Sequence, residues 1–223
     1  MFVVRAVGVF SLLLTFAGGV QAAVLFNNLP PAATISASDP ISGDGPQQFA
    51  SFTADASGVV NTIQLLLDIN GSPTGVVDVT IYNTTVPGTN VPGTQVDAVG
   101  TVNETQLSTT PSVYTFANLG ITGLTGGDHY WVVLTDQNAN GVPSDLQWAF
   151  ATDDSGTGVL GEFNGATQIG TFANDGDTPY MMCVSNNGVG GVCAVPPIPE
   201  PASLSILGLG LAGLGLLRRR RSA

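Results

Sequence analysis

The feature that most constrains the fold is an alternation of apolar and polar residues, with a period of two, from Val24 to Val184. Successive side chains of a β-strand point to opposite faces, so this period is typical of strands, and no amphipathic helix of useful length interrupts it. Residues 130–134 are instead apolar at every position, which indicates a central strand covered on both faces or a strand with aromatic residues on its outer face. The clearest alternating sets are Ile63, Leu65 and Leu67; Val77, Val79 and Ile81; and Leu146, Trp148 and Phe150.

Clusters of turn-forming residues separate these runs, at Asn70–Pro73, Pro87-Gly88, Pro92-Gly93, Gly126–Asp128 and Asn140-Gly141. Short strands with turns about every 8 to 12 residues are typical of β-sandwiches and barrels. The sequence therefore predicts an all-β fold, a single jelly-roll-like antiparallel β-sandwich over residues 23–194. It also predicts an N-terminal signal peptide and a C-terminal hydrophobic helix on either side of this body.

The distribution of charge excludes several classes of function. All five basic residues are arginines, Arg5 and Arg218–Arg221, whereas all of the 16 acidic residues except Glu200 lie between residues 23 and 198. A body without Lys or Arg cannot neutralise phosphates, so nucleic-acid binding is excluded. Lysine Schiff-base chemistry, arginine clamps and the lysine of a phosphate-binding loop are excluded for the same reason.

The N-terminal segment, residues 1–22, has the pattern of a secretory signal peptide. Arg5 supplies the positive charge, residues 6–16 form an apolar run, and Val20-Gln21-Ala22 is a small-x-small cleavage site before Ala23. The apolar run is short for a membrane span of about 20 residues. We therefore expect cleavage rather than a permanent anchor.

The C-terminal segment, residues 195–223, has three parts in a fixed order. Pro199-Glu200-Pro201 is a stiff extended segment, residues 202–217 are apolar apart from two serines, and Arg218–Arg221 follow. At about 1.5 Å per residue, a helix over 202–217 spans roughly 24 Å, slightly less than a bilayer core of about 30 Å. The arginines would keep the end of the chain in the cytoplasm and the body on the far side.

This order resembles the PEP-CTERM sorting signal of Gram-negative bacteria. The resemblance implies recognition by an exosortase, a membrane-embedded protease that removes the tail, and an origin in biofilm-forming bacteria that produce exopolysaccharide. Pro199, Glu200, Pro201 and the arginines Arg218, Arg219, Arg220 and Arg221 are then the sorting residues. An ordinary tail anchor is the alternative, but it would not require Pro-Glu-Pro.

The body is similar to the choice-of-anchor extracellular domains, nearest to the type R group, which occur beside anchoring tails. The likeness rests on short motifs, and it implies no enzymatic activity and no functional residues. These motifs are Ile81-Tyr82, Pro87-Gly88-Thr89, Tyr114-Thr115-Phe116, Tyr130–Leu134 and Trp148.

The residues that could carry out catalysis are few. His129 is the sole histidine and lacks a G-x-S-x-G motif, and Glu104 and Glu162 are the only glutamates of the body. We therefore expect a protein that is not an enzyme. Cys183 and Cys193, the only cysteines, are predicted to form a disulfide, because the protein is predicted to be exported.

Two ligand sites are weaker hypotheses. Asp136, Asn138 and Asn140 have the spacing of a calcium loop, but Gln147 stands where a bidentate Glu is expected, so a plain hairpin connection is favoured and no cofactor is expected. Tyr82, Trp131 and Trp148 could stack on sugars if their rings lay exposed in a row on one sheet.

Together these features predict an exported surface or extracellular-matrix protein with a structural or adhesive β-sandwich. A carbohydrate-binding module is the alternative, and a hydrolase of unrecognised type is the third hypothesis. The predicted route crosses the inner membrane, with a transient anchor before the cell surface or matrix is reached. The predicted partners are the secretion machinery, the exosortase and, before processing, the membrane, with exopolysaccharide as a further candidate.

Overall fold

A computed structural model describes residues 23–41, 47–71, 75–84, 91–137, 145–168, 171–174 and 178–186. One 3₁₀ turn, Glu104–Gln106, is the only helical element of these residues. The strands are β1 (Val24–Asn27), β2 (Ile35–Pro40), β3 (Gln48–Thr53), β4 (Val60–Ile69), β5 (Val76–Asn83), β6 (Gln95–Asn103), β7 (Ser112–Ile121), β8 (His129–Asp136), β9 (Leu146–Ala151), β10 (Asn164–Gln168), β11 (Thr171–Asn174) and β12 (Met182–Ser185).

The strands form two six-stranded antiparallel sheets. Sheet A has the order β1-β12-β4-β9-β2, with β7 paired to the other edge of β4, and sheet B has the order β11-β10-β3-β8-β5-β6. From β2 to β5 and from β7 to β10, consecutive strands alternate between the two sheets. The predicted all-β antiparallel sandwich is confirmed.

The main core lies between the sheets and contains the apolar residues that the alternation selects. Ile63, Leu65 and Leu67 of β4 face Val77, Val79 and Ile81 of β5, together with residues of the other strands. All six are fully buried. Burying a side chain of this size stabilises the fold by about 1.5–3 kcal/mol.

The apolar run at 130–134 is also explained by the fold. β8 is a central strand of sheet B, between β3 and β5. Its Tyr130, Val132 and Leu134 face the main core, whereas Trp131 and Val133 pack on the outer face of the sheet with Phe49. The outer face of sheet A holds a third cluster, which includes Leu66, Ala149 and Cys183.

The predicted signal peptide (1–22) and sorting tail (195–223) lie outside the described residues. Among the residues that are described, no helix has the length and apolar character needed to cross a bilayer. The predicted helix at 202–217 stays a prediction.

Candidate functional site

A group of titratable and hydroxyl side chains lies on the outer face of sheet B and centres on Glu162. This residue is placed there by the connection from β9 in sheet A to β10 in sheet B. Within that connection Thr157 pairs with Asn27 of β1, and Gly158 has a φ of +67°. A Cβ atom at position 158 would lie 2.1 Å from the Leu25 carbonyl oxygen, so the close approach of the chain to β1 requires glycine.

The carboxylate of Glu162 is bonded through both of its oxygens. Thr53 Oγ1 donates to Oε1 at 2.5 Å, and Ser51 Oγ donates to Oε2. Ser51 is itself held by Phe163, whose backbone N–H donates to Ser51 Oγ at 2.8 Å and whose carbonyl accepts from the Ser51 N–H at 2.8 Å. The Glu162 side chain is only 4% exposed, so these bonds replace the water that burial removes.

His129 completes this polar group. Its Nδ1 lies 3.0 Å from Glu162 Oε2 and 3.4 Å from Thr53 Oγ1, and its side chain is 41% exposed. Protonation of His129 would convert its contact with Glu162 into an ion pair. We call Ser51, Thr53, His129 and Glu162 the Glu162 cluster.

Aromatic rings pack beside the Glu162 cluster on the same face. Trp131 is fully buried, packs edge-on against Phe49 with ring centroids 5.5 Å apart, and lies 6.3 Å from the Phe163 ring. Its Nε1–H donates to Thr84 Oγ1 at 3.0 Å, and Thr84 in turn donates to the His129 carbonyl at 3.2 Å. The rings exclude water from one side of the cluster, whereas His129 keeps contact with solvent.

The bonding of the cluster bears on its chemistry. In a Ser–His–acid triad the acid binds one imidazole nitrogen, and the hydroxyl nucleophile bonds to the other. Here Ser51 donates to the carboxylate of Glu162 and is fully buried, and the closest contact of Thr53 is also with the carboxylate. The geometry holds the loop that precedes β10 onto β3 and β8, and Thr53 approaches the same imidazole nitrogen, Nδ1, that contacts Glu162.

The three aromatic residues considered for sugar stacking do not form an exposed row. Trp131 lies on the outer face of sheet B, whereas Trp148 lies in the core between the sheets, and both are fully buried. Trp148 stacks on Tyr180 with centroids 4.8 Å apart and donates to the Met181 carbonyl at 3.0 Å. Only Tyr82, opposite Trp131 in the register, is partly exposed. The alternation of β9 directs Trp148 inward, so the condition for this hypothesis is not met.

The other predicted site residues are only partly described. Asp136 ends β8, whereas Asn138 and Asn140 lie outside the described residues, which contain no group of three metal-ligating side chains. Cys183 is fully buried on β12, and Cys193 lies outside the described residues. The calcium loop and the disulfide therefore stay predictions.

Another buried carboxylate, Asp68, lies on the outer face of sheet A. It is 8% exposed, and its Oδ1 has no hydrogen-bond partner among the described residues. Loss of water on burial raises the pKa of the Asp68 carboxyl above its ordinary value of 3.8, and a hydrogen bond from the Ser38 side chain partly opposes this.

Comparison with known proteins bears on the C-terminus. Residues 197–221 match the family described as the PEP-CTERM protein-sorting motif. The chain carries a PEP-CTERM sorting motif. No curated protein and no solved structure matches the chain.

The PEP-CTERM match contains all seven sorting residues that the sequence predicts, from Pro199 to Arg221. The motif implies export, transit through a membrane-anchored form and processing by an exosortase. The resemblance of the body to the choice-of-anchor domains is not confirmed and stays a prediction.

The Glu162 cluster was not predicted from the sequence as a unit. Ser51 and Thr53 share a face because they are two residues apart on β3, a relation that the alternation contains. Glu162 follows 109 residues after Thr53, and nothing local indicates that they meet. The one available signal was scarcity, because Glu162 is one of two body glutamates and His129 is the sole histidine.

Proposed function

We propose that this chain is an exosortase-sorted protein of the cell surface or extracellular matrix of a Gram-negative bacterium, in which the β-sandwich has a structural or adhesive role without catalysis. The observation that carries the proposal is the PEP-CTERM match at residues 197–221. A sorting tail delivers its protein to the cell envelope, where the buried aromatic core supports a stable module. The predicted signal peptide at 1–22 fits the same route.

The absence of catalysis is proposed from the Glu162 cluster. Ser51 and Thr53 both donate to the Glu162 carboxylate, which also contacts His129 Nδ1 at 3.0 Å, whereas the nucleophile of a triad bonds to the imidazole nitrogen opposite the acid. The only other body glutamate, Glu104, is buried elsewhere and accepts from the Gly75 N–H at 2.8 Å. These observations support a non-catalytic role over a hydrolase that uses these groups. The loop after Asp136 is proposed as a plain connection without a resident metal.

Exopolysaccharide is proposed as the surrounding matrix rather than as a ligand of an aromatic platform. The burial of Trp131 and Trp148 leaves Tyr82 as the partly exposed ring of the three considered. A carbohydrate-binding role would therefore have to use another surface, and it stays the alternative function.

The sorting part of the proposal is tested in an exosortase-containing, exopolysaccharide-producing host. Cells express the full chain or a variant that combines Glu200→Ala with deletion of Arg218–Arg221, and membrane, surface and matrix fractions are immunoblotted. We expect the unaltered chain in the matrix without its C-terminal tail and the variant retained in the membrane with the rest of the tail still attached. Ser203→Ala, which keeps both sorting elements, serves as the control.

Identical processing and location of the unaltered chain and the tail variant would overturn the sorting proposal. The non-catalytic proposal is tested in the same host by His129→Gln, because the imidazole is the acid–base group of the cluster that solvent and a substrate can reach. A strain that carries His129→Gln should retain full matrix cohesion, measured as resistance of the biofilm to shear. Loss of cohesion with normal folding and location would favour an enzyme.

A further inference from the structure

Strand β7 is an edge strand of sheet A, and the side of β7 that faces away from β4 pairs with no other strand of the described residues. β4 pairs with β12 and β9 along one edge and with β7 along the other, and β7 itself is hydrogen-bonded only to β4. Its ten residues include six, Ser112–Ala117, that keep a regular register with Thr62–Leu67. In an antiparallel ladder alternate residues point their N–H and C=O groups away from the neighbouring strand. This edge therefore presents a row of backbone donors and acceptors to solvent.

The other edges of the sandwich are protected in the ways that natural sheets use. β6 carries Asp97 and has two irregularities in its register with β5. β2 contains Asp39 and Pro40. β1 has four residues, and a backbone bridge to Thr157 covers it. β11 also has only four residues.

β7 has none of these protections within Ser112–Ala117. The segment contains no charge and no proline, and Val113 is 48% exposed. On the face that borders the core, Tyr114 and Phe116 are only partly buried, with ring centroids 5.2 Å apart. A strand added here would complete the hydrogen bonds and cover these two rings.

We propose that β7 is a docking edge for the β7 strand of a second copy of this chain, so that the two sheets join in an antiparallel, two-fold symmetric pair. A strand edge carries donors and acceptors in alternation and is therefore complementary to itself, as a two-fold interface requires.

The distribution of charge selects this edge as the place where two copies can meet. Between residues 23 and 198 the chain has acidic residues but no Lys or Arg, so the bodies of two copies repel each other. The uncharged edge Ser112–Ala117 is a place where the bodies can meet without bringing two carboxylates together. The inference is independent of the proposed structural role, because it rests only on the β7 edge and on the charge of the body.

The test uses protein exported and processed from the full chain and measures its oligomeric state by sedimentation velocity over a range of concentrations. We expect a reversible dimer. Val113→Glu places like charges on the joined edges and should weaken the dimer at least about tenfold. Val96→Glu on β6 is the matched control, because Val96 is a similarly exposed edge-strand valine, at 40%, and the added charge is the same.

Ala117→Glu, at the other end of the regular edge, should also weaken the dimer. It keeps the test decisive if Val113→Glu does not fold. Amide hydrogen exchange gives a second readout, because exchange within Ser112–Ala117 should slow as the protein concentration rises. A monomer at every concentration, or equal weakening by Val113→Glu and Val96→Glu, would overturn the proposal. Neither result bears on sorting, which is read from the location of the chain.

Discussion

Two carboxylates lie buried on the outer faces of opposite sheets, and their surroundings differ. On sheet B, Glu162 accepts hydrogen bonds from two hydroxyls and contacts an imidazole. On sheet A, Asp68 has a hydrogen bond from Ser38, but its Oδ1 has no partner in the part of the chain that the structure describes. Similar burial therefore has opposite consequences, because the satisfied carboxylate stabilises its face and the partly satisfied one costs free energy.

The side chains that pack around the two carboxylates also differ in size. Sheet B has large rings beside Glu162, namely Phe49, Trp131 and Phe163. The outer cluster of sheet A consists of smaller side chains, among them Ala149, Ala151 and Cys183. We therefore expect packing on the outer face to stabilise the fold more on sheet B than on sheet A, and substitutions on each face test this.

The largest effect is expected for Trp131→Ala. Trp131 is fully buried although it lies outside the main core, and removal of a buried Trp costs about 3–5 kcal/mol of unfolding free energy. Leu66→Ala on the outer face of sheet A should cost less, because a smaller side chain is removed. Urea denaturation, followed by circular dichroism, measures both. A smaller loss for Trp131→Ala than for Leu66→Ala would reverse the ranking of the two faces.

A smaller effect is expected for Glu162→Gln. The substitution keeps the size of the side chain but replaces one acceptor oxygen by an NH₂ group, which leaves a hydroxyl of Ser51 or Thr53 without its acceptor. We expect a loss of about 1–3 kcal/mol in the free energy of unfolding, measured by urea denaturation at pH 7. Gln106→Glu controls for a change between these residue types at an exposed position, because Glu keeps the oxygen that accepts from the Tyr114 hydroxyl. An unchanged stability of Glu162→Gln would mean that the cluster does not fix the connection.

The comparison also separates what the sequence could predict from what it could not. The alternation places Ile63, Val77 and Trp148 in the core, because the direction of a strand side chain depends only on its position in the strand. The Glu162 cluster depends on which strands become neighbours and on where a connection crosses between sheets. Those relations join residues 33 to 111 positions apart, and no local pattern records them.

The burial of Asp68 shows a second limit. The alternation of β4 correctly predicts that Asp68 faces away from the core, where an acidic residue is ordinarily exposed. It gives no information on what covers the outer face of a sheet. The same limit left open whether Trp131, on the outer face of sheet B, is exposed to a ligand.

The smallest effect concerns the pH dependence of Asp68. Burial raises the pKa of this carboxyl in the folded state above 3.8. As the pH rises through 3.8, the unfolded chain loses this proton while the folded chain still holds it, so the free energy of unfolding falls until the raised pKa is passed. In Asp68→Asn this contribution is absent. The stability of the variant minus that of the unaltered chain should therefore increase between about pH 4 and neutral pH.

Asp153→Asn provides a control of opposite sign. The hydrogen bonds from the side chain and backbone of Ser155 lower the pKa of the exposed Asp153 carboxyl, so its contribution to stability is present above pH 3.8 and is lost as the pH falls. The stability of Asp153→Asn minus that of the unaltered chain should therefore become more negative as the pH rises. Thermal melts from pH 3 to pH 7 measure both differences. The stability difference for Asp68→Asn could instead be independent of pH, or change in the same direction as that for Asp153→Asn. Either result would show that Asp68 gains enough partners on folding to remove its contrast with Glu162.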